Sequence, residues 1–455
     1  MINGKNLIEK LLSYAADSLY LADGDVLFKR TVLCNVLKIK PYERDVLPAT
    51  HGDYKSLVKE LGDYLTENSF DNVCEVQRLV FGLLMPAPSE IEKTFKILRE
   101  KMSFIKARDY FYSLMKNVGF ADCYTFLTPC ETDFPFSIFY KSQSDNDRAG
   151  LRPDDRRIKL NFAKDYFFGY EADPDFIEQA YLTPCDEVNV EFNDKTLDDM
   201  FSFVEYMPDY YIAFSPDDTM RCEKLVVFNE QLPVCKLPAT AVFFSSGYHD
   251  VEIAMTDWLL PHLRFSGYNK NTVIKLIEET LSAWRGYTTD KYTVSDTNEN
   301  YFQTVLKLLP DGKFVVDVIL RVSDTGTATI RPDDRIGKIL DLKTPLAFSF
   351  GKIVFVSQFK ELLFSAVDIV NGTNEYNPLS LSIPTERLYP LGNVIASVIG
   401  GEKDVSDSAR SRDALIEEMG KIILDGYFDN DVFKKSAEGR MLLKLFLHSI
   451  EITRS

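Results

Sequence analysis

Arg148, Arg152, Arg156, Arg157 and Lys159 put five cations within twelve residues. Groups at that density can hold a diphosphate through charge-assisted, often bidentate hydrogen bonds. Asp154 and Asp155 lie among them and offset part of the charge. The same stretch therefore also reads as an exposed loop with internal ion pairs, which stabilise little. Part of the cluster recurs, because Arg-Pro-Asp-Asp-Arg spans Arg152 to Arg156 and again Arg331 to Arg335, shortly before Lys159 and Lys338. The offset of 179 residues leaves two readings open. One is an internal duplication with a charged loop in each half, and the other is a solvated turn set twice by Pro and Asp-Asp.

Metal and nucleophile chemistry find less support. The four histidines, His51, His249, His262 and His448, are not at metal-ligand spacing, and only His249 has an acidic sequence neighbour, Asp250. Each reads as a surface or hydrogen-bonded core residue. The seven cysteines (34, 74, 123, 130, 185, 222, 235) form an odd, scattered set without a Cys-x-x-Cys pair. That argues against a disulfide framework and a thiolate zinc site, and most are expected as buried thiols. No metal and no cofactor is expected.

The bulk numbers set the frame for these residues. A chain of 455 residues accommodates two or three domains of about 100–200 residues each, and 45% hydrophobic with 13% aromatic content can fill real cores. Fifty-two basic against 69 acidic residues give a net charge of −17, which repels nucleic acid and anionic lipid, so neither is an expected partner. The first residues lack a signal-peptide pattern, and no apolar run approaches the ~18 residues of a membrane span. A cytoplasmic protein is expected.

Periodicity predicts a helical beginning, with apolar residues at helical spacing from Leu7 to Leu19 and from Tyr54 to Leu65. Ser89-Glu-Ile-Glu92 reads as a capping box opening a helix towards Lys101, and a further helix is expected from Lys106 to Met115. Strand-like runs follow at Phe136 to Tyr140, Tyr166 to Tyr170 and Tyr210 to Phe214, with a helix capped by Thr196 and ended by Pro208 before the last. Later come a helix from Thr272 to Trp284, stopped by Gly286, and strands at Phe302 to Leu309 and Phe314 to Arg321 joined by Pro310-Asp311-Gly312. Leu346 to Phe350 and Ile353 to Val356 read as a strand pair about Gly351, and Gly401 to Asp413 as a linker before helices at Ala414 to Leu424 and Asp431 to Leu447. Antiparallel hairpins with interspersed helices make the expected class α+β.

Several stretches resemble one family. Gly82-Leu-Leu-Met-Pro-Ala-Pro-Ser-Glu90, Asp109-Tyr-Phe-Tyr112, Met207-Pro-Asp-Tyr-Tyr-Ile212, Trp258 through Arg264 and Ala283-Trp-Arg-Gly-Tyr287 look like segments of the Firmicute-type (type 2) galactose-1-phosphate uridylyltransferases. The similarity runs from about residue 8 to 390. It implies two fused histidine-triad-like half-sheets. The expected division is an N-terminal helical region over 1–125, halves over 126–257 and 258–400, and a linker with C-terminal helices over 401–455.

In that family a histidine attacks the α-phosphorus of UDP-glucose, and galactose-1-phosphate resolves the uridylyl intermediate. Imidazole suits both steps, being nucleophilic when neutral and a competent leaving group once protonated. The family motif is Ser-His-Asp-His-Phe-Gln, but this chain reads Leu225-Val-Val-Phe-Asn-Glu-Gln-Leu-Pro233. The resemblance aligns the degenerate motif with Phe228, Asn229, Glu230 and Gln231, the nucleophile's place falling on Asn229 or Glu230. The His-Pro elements become Arg152-Pro153 and Arg331-Pro-Asp-Asp-Arg335, and a downstream His-Asn pair is replaced near Asn300-Tyr301. Arg148, Arg152, Arg156, Arg157, Arg331, Asp333 and Asn300 are then the candidate substrate-binding residues.

Three functions remain open at this point. The first is a catalytically degenerate homologue that binds a UDP-sugar or sugar phosphate, or acts as a regulatory or structural partner, as a homodimer or with an active paralogue. The second is a working transferase with another nucleophile, such as Glu230 or His249. The third is an acidic interaction scaffold with no small ligand. Because structural zinc needs about four N or S ligands, the purified chain is expected to lack stoichiometric zinc by elemental analysis. Close to one zinc per chain would mean that distant residues such as Cys123, Cys130 or His249 converge.

Overall fold

The computed structural model describes residues 2–42, 50–118, 124–126, 137–141, 157–171, 175–186, 189–216, 221–258, 260–287, 300–322, 345–355 and 437–454. They divide into two compact units, Met1–Asp122 with Ser144–Glu187, and Cys123–Gln143 with Val188–Ser455. Both doubled pentapeptides, the linker at 401–413 and the helix expected over 414–424 lie outside the described residues.

The first unit opens with helices, several of them started by a side chain that satisfies an orphan N–H. Asn3 caps α1 (Gly4–Ser18), which buries Leu7, Ile8, Leu11 and Leu12. Helix α2 (Asp23–Val36) follows, then α3 (Tyr54–Glu67) capped by Asp53 and α4 (Val73–Leu84) capped by Asn72. Helix α5 (Pro88–Lys101) starts one residue before the expected cap, because Pro88 presets the helical φ at the first position. Ser89 thus lies inside the helix, and Glu90 accepts the Ala87 N–H at 3.2 Å. Helix α6 (Phe104–Lys116) is capped by Ser103.

Next in the chain, β1 (Tyr124–Phe126) and β2 (Ser137–Lys141) belong to the second unit. Returning to the first unit, β3 (Ile158–Asn161), β4 (Asp165–Tyr170) and β5 (Ala180–Pro184) form an antiparallel meander. Phe111 of α6 joins it to the helices, its ring centroid 5.8 Å from that of Phe168 and 5.3 Å from that of Tyr170.

The second unit holds β6 (Val190–Glu191), paired with β8 (Arg221–Cys222), and α7 (Asp194–Tyr206). The α7 cap is Asn193, which accepts the Thr196 N–H at 2.9 Å; the expected cap Thr196 is already helical and donates its hydroxyl to Glu191 O. Then come β7 (Tyr211–Phe214), β9 (Leu225–Phe228), β10 (Ala239–Ser245), β11 (Glu252–Thr256) and β12 (His262–Gly267). Helix α8 (Lys270–Arg285), β13 (Asn300–Leu308), β14 (Phe314–Val322), a short α9 (Pro345–Ser349) and β15 (Lys352–Phe355) follow, and α10 (Ala437–Ser449) with β16 (Ile452–Arg454) ends the described chain.

Within this unit the strand order β16-β10-β11-β12-β14-β13-β7-β9 is antiparallel at every step. Strands β1, β2 and β15 form a separate small sheet, in which β15 runs parallel to β2. Leu346 to Phe350, expected as a strand, is helix α9 instead: Pro345 starts it and Gly351, at φ +91°, ends it. The β13–β14 hairpin turns through Pro310-Asp311-Gly312, with Gly312 at φ +85°.

The order of elements repeats. A meander (β3–β5), a helix (α7) and a hairpin (β7, β9) are followed by a second meander (β10–β12), helix (α8) and hairpin (β13, β14), and the hairpins pair through β7 and β13. Helices α7 and α8 start 76 residues apart, at Asp194 and Lys270. The 179-residue offset of the pentapeptides therefore does not mark this repeat, since one copy precedes the first meander and the other follows the second hairpin.

Helices α7 and α8 pack on one face of the second unit's sheet. Register puts Phe302, Leu306, Val316, Leu320, Leu263 and Phe265 on that face, and Trp284 is fully buried there with its indole N–H donated to Tyr301 O at 2.9 Å. Asn193→Ala is expected to lower unfolding free energy by about 1 kcal/mol in urea titration, the usual worth of an N-cap. An unchanged midpoint would mean that Thr196 supplies the cap after all.

Candidate functional site

Alternation along the strands puts a different set of residues on the face without α7 and α8. The register aligns Ala213, Val305, Asp317, Arg264 and Ala254 in one row, and Gln303, Ile319 and His262 in the next. Tyr211 and Phe228, also on this face, are paired across β7 and β9 with rings stacked 5.5 Å apart.

A buried charge cluster sits at the centre. Arg264 Nε donates to Asp317 Oδ1 at 2.7 Å, Nη1 to Leu237 O at 2.8 Å and Nη2 to Val234 O at 3.0 Å. His262 Nε2 lies 2.9 Å from the same Asp317 oxygen without the alignment of a hydrogen bond, and its Nδ1 is 2.8 Å from the Thr256 hydroxyl. Burial alone would raise the Asp317 pKa, but His262 and Arg264 more than offset it and hold the carboxyl below its ordinary value. Burial pushes the His262 imidazole down, against the opposing pull of Asp317. The Cys235 thiol is pushed well up by burial and by Asp317, which leaves it a poor nucleophile.

Residues 228–231 precede the two carbonyls that Arg264 binds. Phe228 ends β9, Asn229 and Glu230 are half-buried, and Gln231 is exposed. Arg264 fixes the following carbonyls, and Val234 N–H donates to Phe350 O at 3.3 Å. Trp258 donates its indole N–H to Ser349 O at 2.9 Å. A Cβ on Gly351 would lie 2.9 Å from Pro233 Cβ and 3.1 Å from Trp258, so glycine is required there both by its φ and by this close approach. The next residue, Lys352, places its fully buried ammonium 2.8 and 2.6 Å from the two Glu230 oxygens.

Arg157 precedes β3 with its guanidinium 4.0 Å from the Phe167 ring centroid, and Lys159 pairs with Asp165. Asn300 donates its amide to Trp284 O at 2.6 Å and Tyr287 O at 2.8 Å, closing the end of α8. Arg148, Arg152, Arg156, Arg331 and Asp333 lie outside the described residues. His249 is exposed in the β10–β11 turn. Among the described cysteines only Cys34 is buried over the whole residue, Cys74 is exposed, and Cys185, Cys222 and Cys235 are half-buried, which corrects the expectation that most are buried thiols. The Asp317–Arg264–His262 cluster escaped sequence reading because 53 residues separate Arg264 from Asp317. The available signal was alternation, which puts His262 and Arg264 on one side of a single strand.

Fold and site together define an α+β protein with a large, mostly antiparallel sheet, helices on one face and a buried ionic cluster on the other. Over 97% of its length the chain is similar to the galactose-1-phosphate uridylyltransferase of Caldanaerobacter subterraneus subsp. tengcongensis, at 21% identity and covering 97% of that relative. It is 22% identical to that of Clostridium perfringens (strain 13 / Type A), over 99% of this chain and 100% of the relative. A 90-residue stretch, 19% of this chain and 18% of the relative, is 36% identical to the enzyme of that name from Streptococcus salivarius. No family model and no solved structure matches. In each case the similarity is to a protein named galactose-1-phosphate uridylyltransferase.

The cluster has a pH signature. The folded His262 pKa lies below its ordinary 6.5, so as pH falls the unfolded chain binds the proton first. This contribution to stability is complete above about pH 6.5 and is lost as pH falls from there towards the folded value. The urea midpoint of the wild type is expected to drop between about pH 7.5 and 5.5, and to drop less in His262→Gln. Equal drops would remove His262 from the account.

Proposed function

We propose that this chain is a family member that has lost the transferase reaction while keeping the scaffold, and that it binds a UDP-sugar or sugar phosphate or acts as a regulatory or structural partner. The observation that carries this reading is the Glu230–Lys352 pair at the nucleophile's place. A carboxylate whose two oxygens both rest on one ammonium is a poor attacking group, and a carboxylate cannot inherit the leaving-group behaviour of imidazole. His249, exposed in its turn, offers no support for a relocated nucleophile. The repeated meander, helix and hairpin support an origin in two fused half-sheets of the histidine-triad type. Arg148, Arg152, Arg156, Arg157 and Arg331, with Asp333, remain the proposed phosphate-contacting set; the Asn300 amide is engaged at the end of α8. The proposed setting is cytoplasmic, consistent with the finding that no described helix is long and apolar enough to cross a membrane.

Incubation with UDP-glucose followed by intact-mass measurement is expected to yield no uridylyl adduct, and calorimetry with UDP, UDP-glucose and galactose-1-phosphate is expected to detect binding. A stable adduct of one uridylyl group would restore the working-transferase reading. No heat at millimolar ligand, with no adduct, would favour the ligand-free scaffold.

A further inference from the structure

The Glu230–Lys352 pair is asymmetric in a way that bears on ligand access. Lys352 has no exposed side-chain surface, whereas Glu230 keeps 11% exposed, so the acid stands on the solvent side of the base. A fully buried ammonium requires an anion beside it, and Glu230 supplies one. A phosphoryl group presents the same kind of oxygen acceptors as a carboxylate, so it can take the acid's place with no change in the sign of the local charge. While Glu230 is in position, a phosphate arriving at the motif meets a carboxylate and finds the ammonium already occupied. Along the same turn, the Ser349 hydroxyl is fully buried and has no hydrogen-bond partner among the described residues, which leaves one further donor unused near Lys352 in the chain.

We infer that the Glu230–Lys352 pair is a built-in plug on a phosphate-binding site: Glu230 occupies the ammonium that a phosphoryl oxygen of the ligand would take, and binding requires the carboxylate to swing away. This rests on the reading of residues 228–231 as the place of the lost nucleophile, because that is where a substrate phosphate would arrive. Binding is then an exchange of one anion for another on a cation whose desolvation is already met by the fold. In a purely structural ion pair the carboxylate does not leave, and the wild type would be indifferent to phosphate.

The test compares wild type with Glu230→Ala by thermal midpoint across an inorganic phosphate series at constant ionic strength. The variant is expected to be less stable without phosphate. Its midpoint should rise with phosphate at an affinity at least about tenfold tighter than in the wild type. Adding Lys352→Met to Glu230→Ala should abolish the response. Equal responses of wild type and Glu230→Ala, no response of the variant, or a response that survives loss of Lys352 would each overturn the plug. Should Glu230→Ala not stay folded alone, refolding yield against phosphate replaces the midpoint; recovery that depends on phosphate and Lys352 supports the plug, and its absence overturns it. A uridylyl adduct on the wild type would instead overturn the loss-of-catalysis reading, whatever the phosphate series shows.

Discussion

Arg264 is the constraint on which the second unit's site depends. A charged pair taken out of water is stabilising only when every remaining donor and acceptor finds a partner. Arg264 meets that condition by dividing its planar fork among Asp317 and the carbonyls of Val234 and Leu237. The contact with Asp317 exists because β12 and β14 are paired in a register that sets the two residues opposite each other. A slip of one residue would move Arg264 to the face covered by α7 and α8 and leave both charges stranded. The contact with the two carbonyls ties the chain beyond β9 to the sheet, and so positions Glu230 for Lys352 and Pro233 against Gly351.

The segments that carry the family resemblance are mostly props of this kind. Trp258 anchors the end of α9, Arg264 forms the clamp, Trp284 fills the layer under α8, and Phe111 joins α6 to the first meander. Such positions tolerate little change, since deleting a buried aromatic side chain costs about 3–5 kcal/mol. A scaffold can therefore persist at about one-fifth identity to such relatives. The half-buried carboxylate of Glu230 is tolerable because Lys352 meets it from the small sheet.

Much of the local structure was legible along the chain. Helical spacing marked α1, α3, α6 and α8, and Pro310-Asp311-Gly312 marked the β13–β14 hairpin, because periodicity and turn chemistry act over a few neighbouring residues. The failures share that range. Leu346 to Phe350 is apolar enough for a strand, and only the packing of Gly351 against Pro233 and Trp258 explains the sharp end of α9. The doubled pentapeptide suggested one repeat, while the order of meander, helix and hairpin follows another.

By itself the sequence determined the α+β class and the helical start, and the resemblance it carries singled out residues 228–231. Tertiary structure decided what that segment became. Arg264 meets Asp317 across 53 residues and Lys352 meets Glu230 across 122, distances over which no local propensity acts. Strand register and the closing of α9 and β15 over the motif bring these charges together. Burial then turns two ordinary acids and two ordinary bases into groups that must be paired, because outside water an unpaired charge is too costly to keep.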